Sequence, residues 1–256
     1  MLADLMAGAA EDADARRAVI PLAAVEAEAL DQPAALDARE ALRRGPNVKI
    51  IAEVKRASPS RGDLADIPDP ALLASAYEEG GASAISVLTE GRKFKGSLDD
   101  LRAVRQRVSI PVLRKDFISQ PYQVFEARAA RADLVLLIVA GLGQTELAEL
   151  YALVGELGMT ALVETHSAEE LDRALEIGAD VIGVNARNLS TFELDPSLFG
   201  TLAPRIPDGV IKVAESAVLQ PADVARYRAD GADVVLVGEA LVTGDPISTL
   251  TQFLAV

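Results

Sequence analysis

Eight short apolar runs recur along the chain, at Lys49–Lys55, Ala84–Thr89, Val112–Phe117, Leu134–Val139, Thr160–Glu164, Val181–Asn185, Ile211–Glu215 and Val234–Val237. Runs this short and rich in Val, Ile and Leu read as buried strands. Longer amphipathic segments separate them, roughly Pro70–Glu79, Leu98–Arg107, Tyr122–Ala130, Glu146–Leu157, Ala168–Ile177, Pro196–Leu202 and Pro221–Ala229, and Ile247–Leu254 follows the last run. Strict alternation of strand and helix predicts a parallel sheet, and eight such units in 256 residues predict a (β/α)8 TIM barrel. The competing architecture is a doubly wound open sheet, which usually carries a glycine-rich phosphate loop after its first strand. Here the first run leads into Arg56-Ala57-Ser58-Pro59-Ser60-Arg61-Gly62, with neither a GxGxxG nor a Walker loop. Local signals agree with the barrel. Ser167 is placed to cap a helix whose first turn is acidic, and Gly158 and Gly178 stand where helices should stop. Gly-Ala-Asp repeats at 178–180 and 231–233, marking equivalent helix-to-strand turns. Residues 1–45 precede the first strand and include the Ala-rich Leu22–Leu30; they are expected to form an N-terminal helical extension packed on the barrel, so that 1–256 is one barrel domain.

Composition narrows the chemistry. Without cysteine there is no disulfide, thiolate metal site or cysteine nucleophile, and a single histidine, His166, argues against a histidine metal cluster or a Ser-His-Asp triad. Acid–base work must therefore rest mainly on Lys, Glu and Asp. A net charge of -14 disfavours nucleic acid and anionic membrane as partners. The first residues do not read as a signal peptide and the longest apolar stretch, Leu134–Leu142, is too short to span a bilayer, so a cytoplasmic protein is expected. Local cationic clusters at Lys55-Arg56, Arg92-Lys93 with Lys95, and Arg114-Lys115 suggest that a small anion binds at strand ends.

In a barrel of this kind the active site lies at the C-terminal ends of the strands. Each run is apolar until that end, where polar residues stand: Glu53 and Lys55, Lys115, Glu164, Asn185 and Arg187, Glu215 and Ser216. Any one of them alone reads as a surface ion pair; their shared position makes them a candidate site. Lys115 shares its parity with Leu113 and Phe117, hence one face, and burial there lowers a lysine's pKa, as proton transfer requires. His166 is read as structural, at the rim of that site. Many barrels bind phosphate after strands seven and eight. Ser216 and Gly238 occupy those places, Gly238 opening a short helix at Glu239–Val242, and Ser58 can add a hydroxyl from the first loop. Glu239 has the wrong charge for an anion site and is expected to point away. The loop Arg56–Asp63 is a candidate lid with Gly62 as its hinge.

Taken together, Ile51–Ser60, Ser86–Glu90 with Phe94–Ser97, Val112–Phe117, Leu162–His166, Ile182–Leu189, Ala214–Ser216 and Leu236–Glu239 resemble the indole-3-glycerol phosphate synthase family, over about residues 45–243. The resemblance implies ring closure, decarboxylation and dehydration of 1-(2-carboxyphenylamino)-1-deoxyribulose 5-phosphate, with no cofactor and no metal. It implies catalytic roles for Lys115 as the acid toward the ketone oxygen, Glu164 as base, Lys55 as second acid and electrostatic partner, and Glu53 as the group that orients the lysines. Asn185 would hold a substrate hydroxyl, Glu215 would line the pocket by the ribulose hydroxyls, and Arg187 would meet the anthranilate carboxylate. Ser58, Ser216 and Gly238 would bind phosphate, and Pro59, Phe94, Phe117 and Leu136 would form an apolar slot for the aromatic ring. The implied partner is a small phosphorylated substrate, not nucleic acid or membrane, with the chain a monomer or weak homo-oligomer.

The chain departs from the family pattern at three places. Ala217 follows the Glu-Ser pair where glycine is usual, Arg131 replaces a common glycine in a helix-to-strand turn, and Ala186 replaces a frequent asparagine. Two other readings are therefore kept beside the first. One is a non-catalytic or engineered phosphate-binding scaffold; the other is a barrel like phosphoribosylanthranilate isomerase, which usually works with a cysteine that this chain lacks.

Overall fold

The computed structural model describes residues 1–189, 191 and 193–256. Eight parallel strands close into a barrel: β1 (Lys49–Val54), β2 (Ala84–Leu88), β3 (Val112–Lys115), β4 (Leu134–Ile138), β5 (Thr160–Thr165), β6 (Val181–Asn185), β7 (Ile211–Glu215) and β8 (Val234–Val237). Each pairs with its sequence neighbours, and β1 closes the ring against β8 with Lys49 beside Val234. The (β/α)8 TIM barrel expected from the alternating pattern is the observed fold. Strands β1, β2, β3 and β4 stop one or two residues short of the apolar runs, β5 continues to Thr165, and the helix expected from Pro196 begins at Leu198.

Among the described residues eight helices lie outside the strands: Pro70–Glu79, Leu98–Arg107, Pro121–Ala129, Gln144–Glu156, Ala168–Glu176, Leu198–Leu202, Pro221–Ala229 and Pro246–Leu254; a short one, Glu239–Val242, follows β8 directly. Several begin on a side chain that accepts an otherwise orphaned backbone N–H, as Asp69 does for Leu72 and Ser167 does for Glu170. Five end in one two-bond turn in which the residue after the cap adopts positive φ. Gly81, Gly158, Gly178 and Gly231 fill that place at φ 74 to 96, and Arg131 fills it at φ 65. In the Arg131 turn, Arg131 N–H reaches Arg128 O and Ala132 N–H reaches Ala127 O.

Strand parity sorts the residues. Glu53, Lys115, Glu164, Asn185, Glu215 and Leu236 project into the barrel's C-terminal mouth, while the strand residue just before each faces the helices. Arg114 is the sharpest case. It points outward and is fully buried, bonding Asp116 at 2.9 Å, Gln123 O at 2.6 Å and Glu126 at 3.4 Å.

Three helices precede β1, at Leu2–Val19, Leu22–Leu30 and Ala38–Leu42. The second lies along Pro121–Ala129. Arg16 pairs with Glu126, Tyr122 OH donates to Ile20 O, and Arg92 clasps both Glu11 and Asp12 of the first helix. Among the described residues no helix is long and apolar enough to cross a membrane.

Candidate active site

One cleft opens at the C-terminal ends of the strands, and all fourteen expected site residues line it: Glu53, Lys55, Ser58, Pro59, Phe94, Lys115, Phe117, Leu136, Glu164, Asn185, Arg187, Glu215, Ser216 and Gly238. Including the open solvent at its mouth it encloses about 1180 Å³.

Lys115 occupies the floor. Its Nζ lies 3.2 Å from Glu164 Oε2 and 3.3 Å from Glu215 Oε2. Beside it Lys55 pairs with Glu53 at 2.8 Å, and Ser86 Oγ donates to the other Glu53 oxygen at 3.2 Å. Gly238 leaves room for that pair: a Cβ there would stand 2.8 Å from Glu53 Oε1 and 3.0 Å from Lys55 Nζ. Gly183 does the same for Glu215, since a Cβ would come within 2.2 Å of its Oε1.

The electrostatics correct one expectation. Burial does act to lower the Lys115 pKa, but Glu164, Glu215 and Glu53 outweigh it and hold the ammonium above the ordinary lysine range. Lys115 is therefore a firmly charged group, not a desolvated lysine with a weakened hold on its proton. Burial likewise acts to raise Glu53 and Glu164. Lys55 and Lys115 reverse it at Glu53, and Lys115 with His166 reverses it at Glu164, so both carboxyls lie below the usual range. Glu215 goes the other way: burial raises it, Lys115 pulls it down, Glu164 pushes it up, and the balance is about 8.

The wall is apolar on one side. Phe94 and Phe117 approach to 5.9 Å between ring centroids, with Pro59 and Leu136 nearby in the lining. The Glu90 carboxylate fixes the loop that carries Phe94 by accepting from the N–H groups of Arg92, Lys93 and Phe94 at 2.7 to 2.9 Å. On the other side Asn185 Oδ1 accepts from Ser216 Oγ at 2.8 Å and from Arg187 N–H at 3.0 Å. Ser216 and Ala217 both adopt left-handed backbone, φ 69 and 55. The glycine-like geometry demanded there is met by alanine.

The cationic clusters divide. Only Lys55 and Lys115 of those pairs line the cleft. In the loops Arg56 turns to Asp100, Arg92 to the first helix and Lys95 to Asp63 at 2.6 Å; Arg114 turns to its buried network because alternate residues of a strand face opposite ways. The cations that join Lys55 and Lys115 are Arg61 and Arg187. Arg61 pairs with Glu239 at 3.1 Å, which places the Glu239 carboxylate at the cleft's edge toward the first loop. That loop is a small hairpin, Ala57–Ser58 against Gly62–Asp63, and Gly62 has φ 70.

The family model for indole-3-glycerol phosphate synthase matches residues 2–253. The chain belongs to the indole-3-glycerol phosphate synthase family. An indole-3-glycerol phosphate synthase of Leifsonia xyli subsp. xyli is 68% identical over 99% of this chain and 97% of its own. One from Mycolicibacterium gilvum is 60% identical over 98% and 93%, and one from Beutenbergia cavernae is 56% identical over 100% and 95%. The fold is shared more widely. An N-acetylmannosamine-6-phosphate 2-epimerase from Clostridium perfringens superposes with a TM-score of 0.62 at 15% identity, over 78% of this chain and 90% of its own. Membership in the synthase family makes the chain an enzyme of tryptophan biosynthesis.

Sequence reasoning missed Leu5, Arg61, Leu189, Leu194 and Leu219, which also line the synthase cleft. Arg61 carried a signal, since it sits in the first loop beside Ser60 and Gly62. Leu5 carried none, because only the docking of the first helix brings it to the mouth. His166 is not part of the lining. Its ring lies behind Glu164, with Nε2 3.2 Å from Glu164 Oε1 and Nδ1 3.0 Å from Glu170 Oε2. Among the described residues no group of three or more His, Cys, Asp and Glu is arranged to hold a metal ion.

Proposed function

We propose that this enzyme is a carboxy-lyase converting 1-(2-carboxyphenylamino)-1-deoxyribulose 5-phosphate to indole-3-glycerol phosphate, carbon dioxide and water. The observation that carries this reading is Lys115 held between Glu164 and Glu215 on the floor of a cleft walled by Phe94 and Phe117.

The aromatic slot of Phe94, Phe117, Pro59 and Leu136 takes the anthranilate ring, and Arg187 meets its carboxylate. Ser58, Ser216 and the backbone beside Gly238 take the phosphate. This places the ketone carbon over Lys115. The ring carbon bearing the carboxylate attacks the ketone carbon, and Lys115 gives a proton to the oxygen as negative charge develops. A developing alkoxide is a stronger base than any of the three carboxylates, so the charged Lys115 can still act as the acid. Loss of carbon dioxide restores the aromatic ring. Glu164 then removes the ring-amine proton while Lys55 protonates the departing hydroxyl. Glu53 orients Lys55 through their 2.8 Å pair and is one of the carboxylates that keep Lys115 charged. Asn185, its oxygen already engaged by Ser216 and Arg187, offers its amide N–H groups to a substrate hydroxyl. Glu215 lines the ribulose side.

This chemistry needs neither metal nor cofactor. A net charge of -14 supports a small phosphorylated substrate in preference to nucleic acid. We further propose a cytoplasmic monomer or weak homo-oligomer, with residues 1–45 part of the same folding unit as the barrel.

Purified protein mixed with the substrate, without added metal, is expected to produce indole-glycerol phosphate fluorescence that saturates with substrate. Lys115→Ala is expected to abolish ring closure while phosphate-analogue binding survives. Glu164→Gln is expected to slow turnover by about 10²- to 10⁴-fold, the usual contribution of a positioned base. Binding without turnover in the unaltered protein would instead establish the scaffold reading.

A further inference from the structure

Two carboxylates share the Lys115 ammonium, at 3.2 Å for Glu164 and 3.3 Å for Glu215, and each residue is 1% exposed. A pair this dry on a single cation does not keep both charges; one member retains a proton. Distance to Lys115 does not choose between them. What stands behind each does. Glu164 Oε1 meets His166 Nε2 at 3.2 Å. The same ring holds Glu170 Oε2 through Nδ1 at 3.0 Å, and that oxygen also accepts the His166 backbone N–H at 2.7 Å. Glu215 has no second cation: among the described residues Lys115 alone forms an ion pair with it, and Gly183 faces its other oxygen.

We propose that His166, anchored by Glu170, is the positioning residue that makes Glu164, and not Glu215, the proton-accepting carboxylate of the pair. This rests on the reading of Glu164 as base, and it explains which of two nearly equidistant groups takes that part. A ring with a carboxylate at each nitrogen carries a proton on both. Burial opposes that charge, but Glu164 and Glu170 outweigh it and raise His166 to about 10. The imidazolium faces Oε1 as an ion pair and leaves Oε2 facing Lys115 and the cleft. Glu164 from β5 and Glu170 from the following helix face His166, and Lys115 from β3 and Glu215 from β7 face Glu164. With Glu215 protonated, the charges of Glu53, Glu164 and Glu170 balance those of Lys55, Lys115 and His166.

Glu170 also has a plain part at the helix start: Ser167 caps its N–H at 3.1 Å, and its carboxylate accepts the N–H of His166, the residue before that cap. Capping accounts for the carboxylate turning back to the His166 N–H. It does not account for the ring lying between two carboxylates.

The test compares the full-length protein with its His166→Gln and Glu170→Gln variants by two independent readouts. The first is turnover against pH. His166→Gln is expected to lower kcat about tenfold, a part of what a base supplies, with KM little changed. Its acid limb is expected to move up by several pH units, from below the usual carboxyl range toward neutrality, as Glu164 loses one of its two opposite charges. Glu170→Gln, a milder change, is expected to move both in the same direction by less. The second readout is ¹³C NMR of labelled glutamate carboxyls, assigned with Glu164→Gln and Glu215→Gln. The carboxyl titrating near neutrality is expected to be Glu215 in the unaltered protein and Glu164 once His166 is replaced. An unmoved acid limb, or a titrating carboxyl that remains Glu215 in His166→Gln, would overturn the proposal. Normal turnover by Glu164→Gln would remove the base assignment instead, and the carboxyl titration would still decide which group His166 keeps charged.

Discussion

Ser216 and Ala217 show how much of the site depends on backbone that side chains rarely adopt. Two successive residues with φ 69 and 55 lead away from Glu215, a cost that glycine would avoid at either place. Ala217 was legible as a departure from the family pattern; that its neighbour Ser216 shares the conformation was not. Glu215 itself carries a second cost. Its pKa is raised to about 8 by burial and by Glu164, against the pull of Lys115. The folded state then binds more protons than the unfolded state between the ordinary carboxyl range and about 8, so stability falls as pH rises through that window. Glu215→Gln keeps the shape and removes the titration. Its stability relative to the unaltered protein is therefore expected to grow from near zero at about pH 4 to a few kcal/mol at about pH 8. Urea unfolding at several pH values checks this, and a difference independent of pH would contradict it.

At the level of elements, the five equivalent helix-to-strand turns set where β2, β4, β5, β6 and β8 begin. Glycine occupies four of the left-handed positions and Arg131 the fifth. An arginine gains little there, because it is exposed, while its Cβ bears the steric cost of φ 65. Arg131→Gly is expected to stabilise the protein by about 0.5–1 kcal/mol, the relief of strain exceeding the extra flexibility given to the unfolded chain. A shift of the urea midpoint at constant slope measures it, and a lower midpoint would place the arginine's contacts above its strain. These turns were legible because they use fixed residue types at fixed offsets. The end of β3 was less so: parity correctly separates Arg114 from Lys115, yet nothing local says that Arg114 is buried beneath a helix and bonded to Glu126 twelve residues on.

For the whole molecule, the two ends of the barrel have separate tasks. The C-terminal mouth holds the site, and the opposite end holds Asp133, which ties three parts of the chain together. Its carboxylate accepts from Leu36 N–H at 2.8 Å, Val112 N–H at 2.9 Å and the buried Arg105 at 2.6 Å. Asp133→Ala leaves Arg105 without its counter-charge and is expected to cost about 3–5 kcal/mol. Because the change is far from the cleft, kcat well below the melting temperature is expected to be unaltered; a loss of kcat with stability intact would reverse that division of labour. Hydrophobic periodicity and turn chemistry were enough to establish the eight strands, the barrel and the residues at its mouth, because they follow from local rules of period two, period 3.6 and positive φ. Closure of the sheet decided the rest. It set three carboxylates around Lys115, which reverses the pKa expected from burial alone. It also put His166 behind Glu164, and it carried Leu5 from the far N-terminus to the cleft. Those are contacts between residues distant in sequence, and Coulomb interactions depend on distance in space, which a linear pattern does not contain.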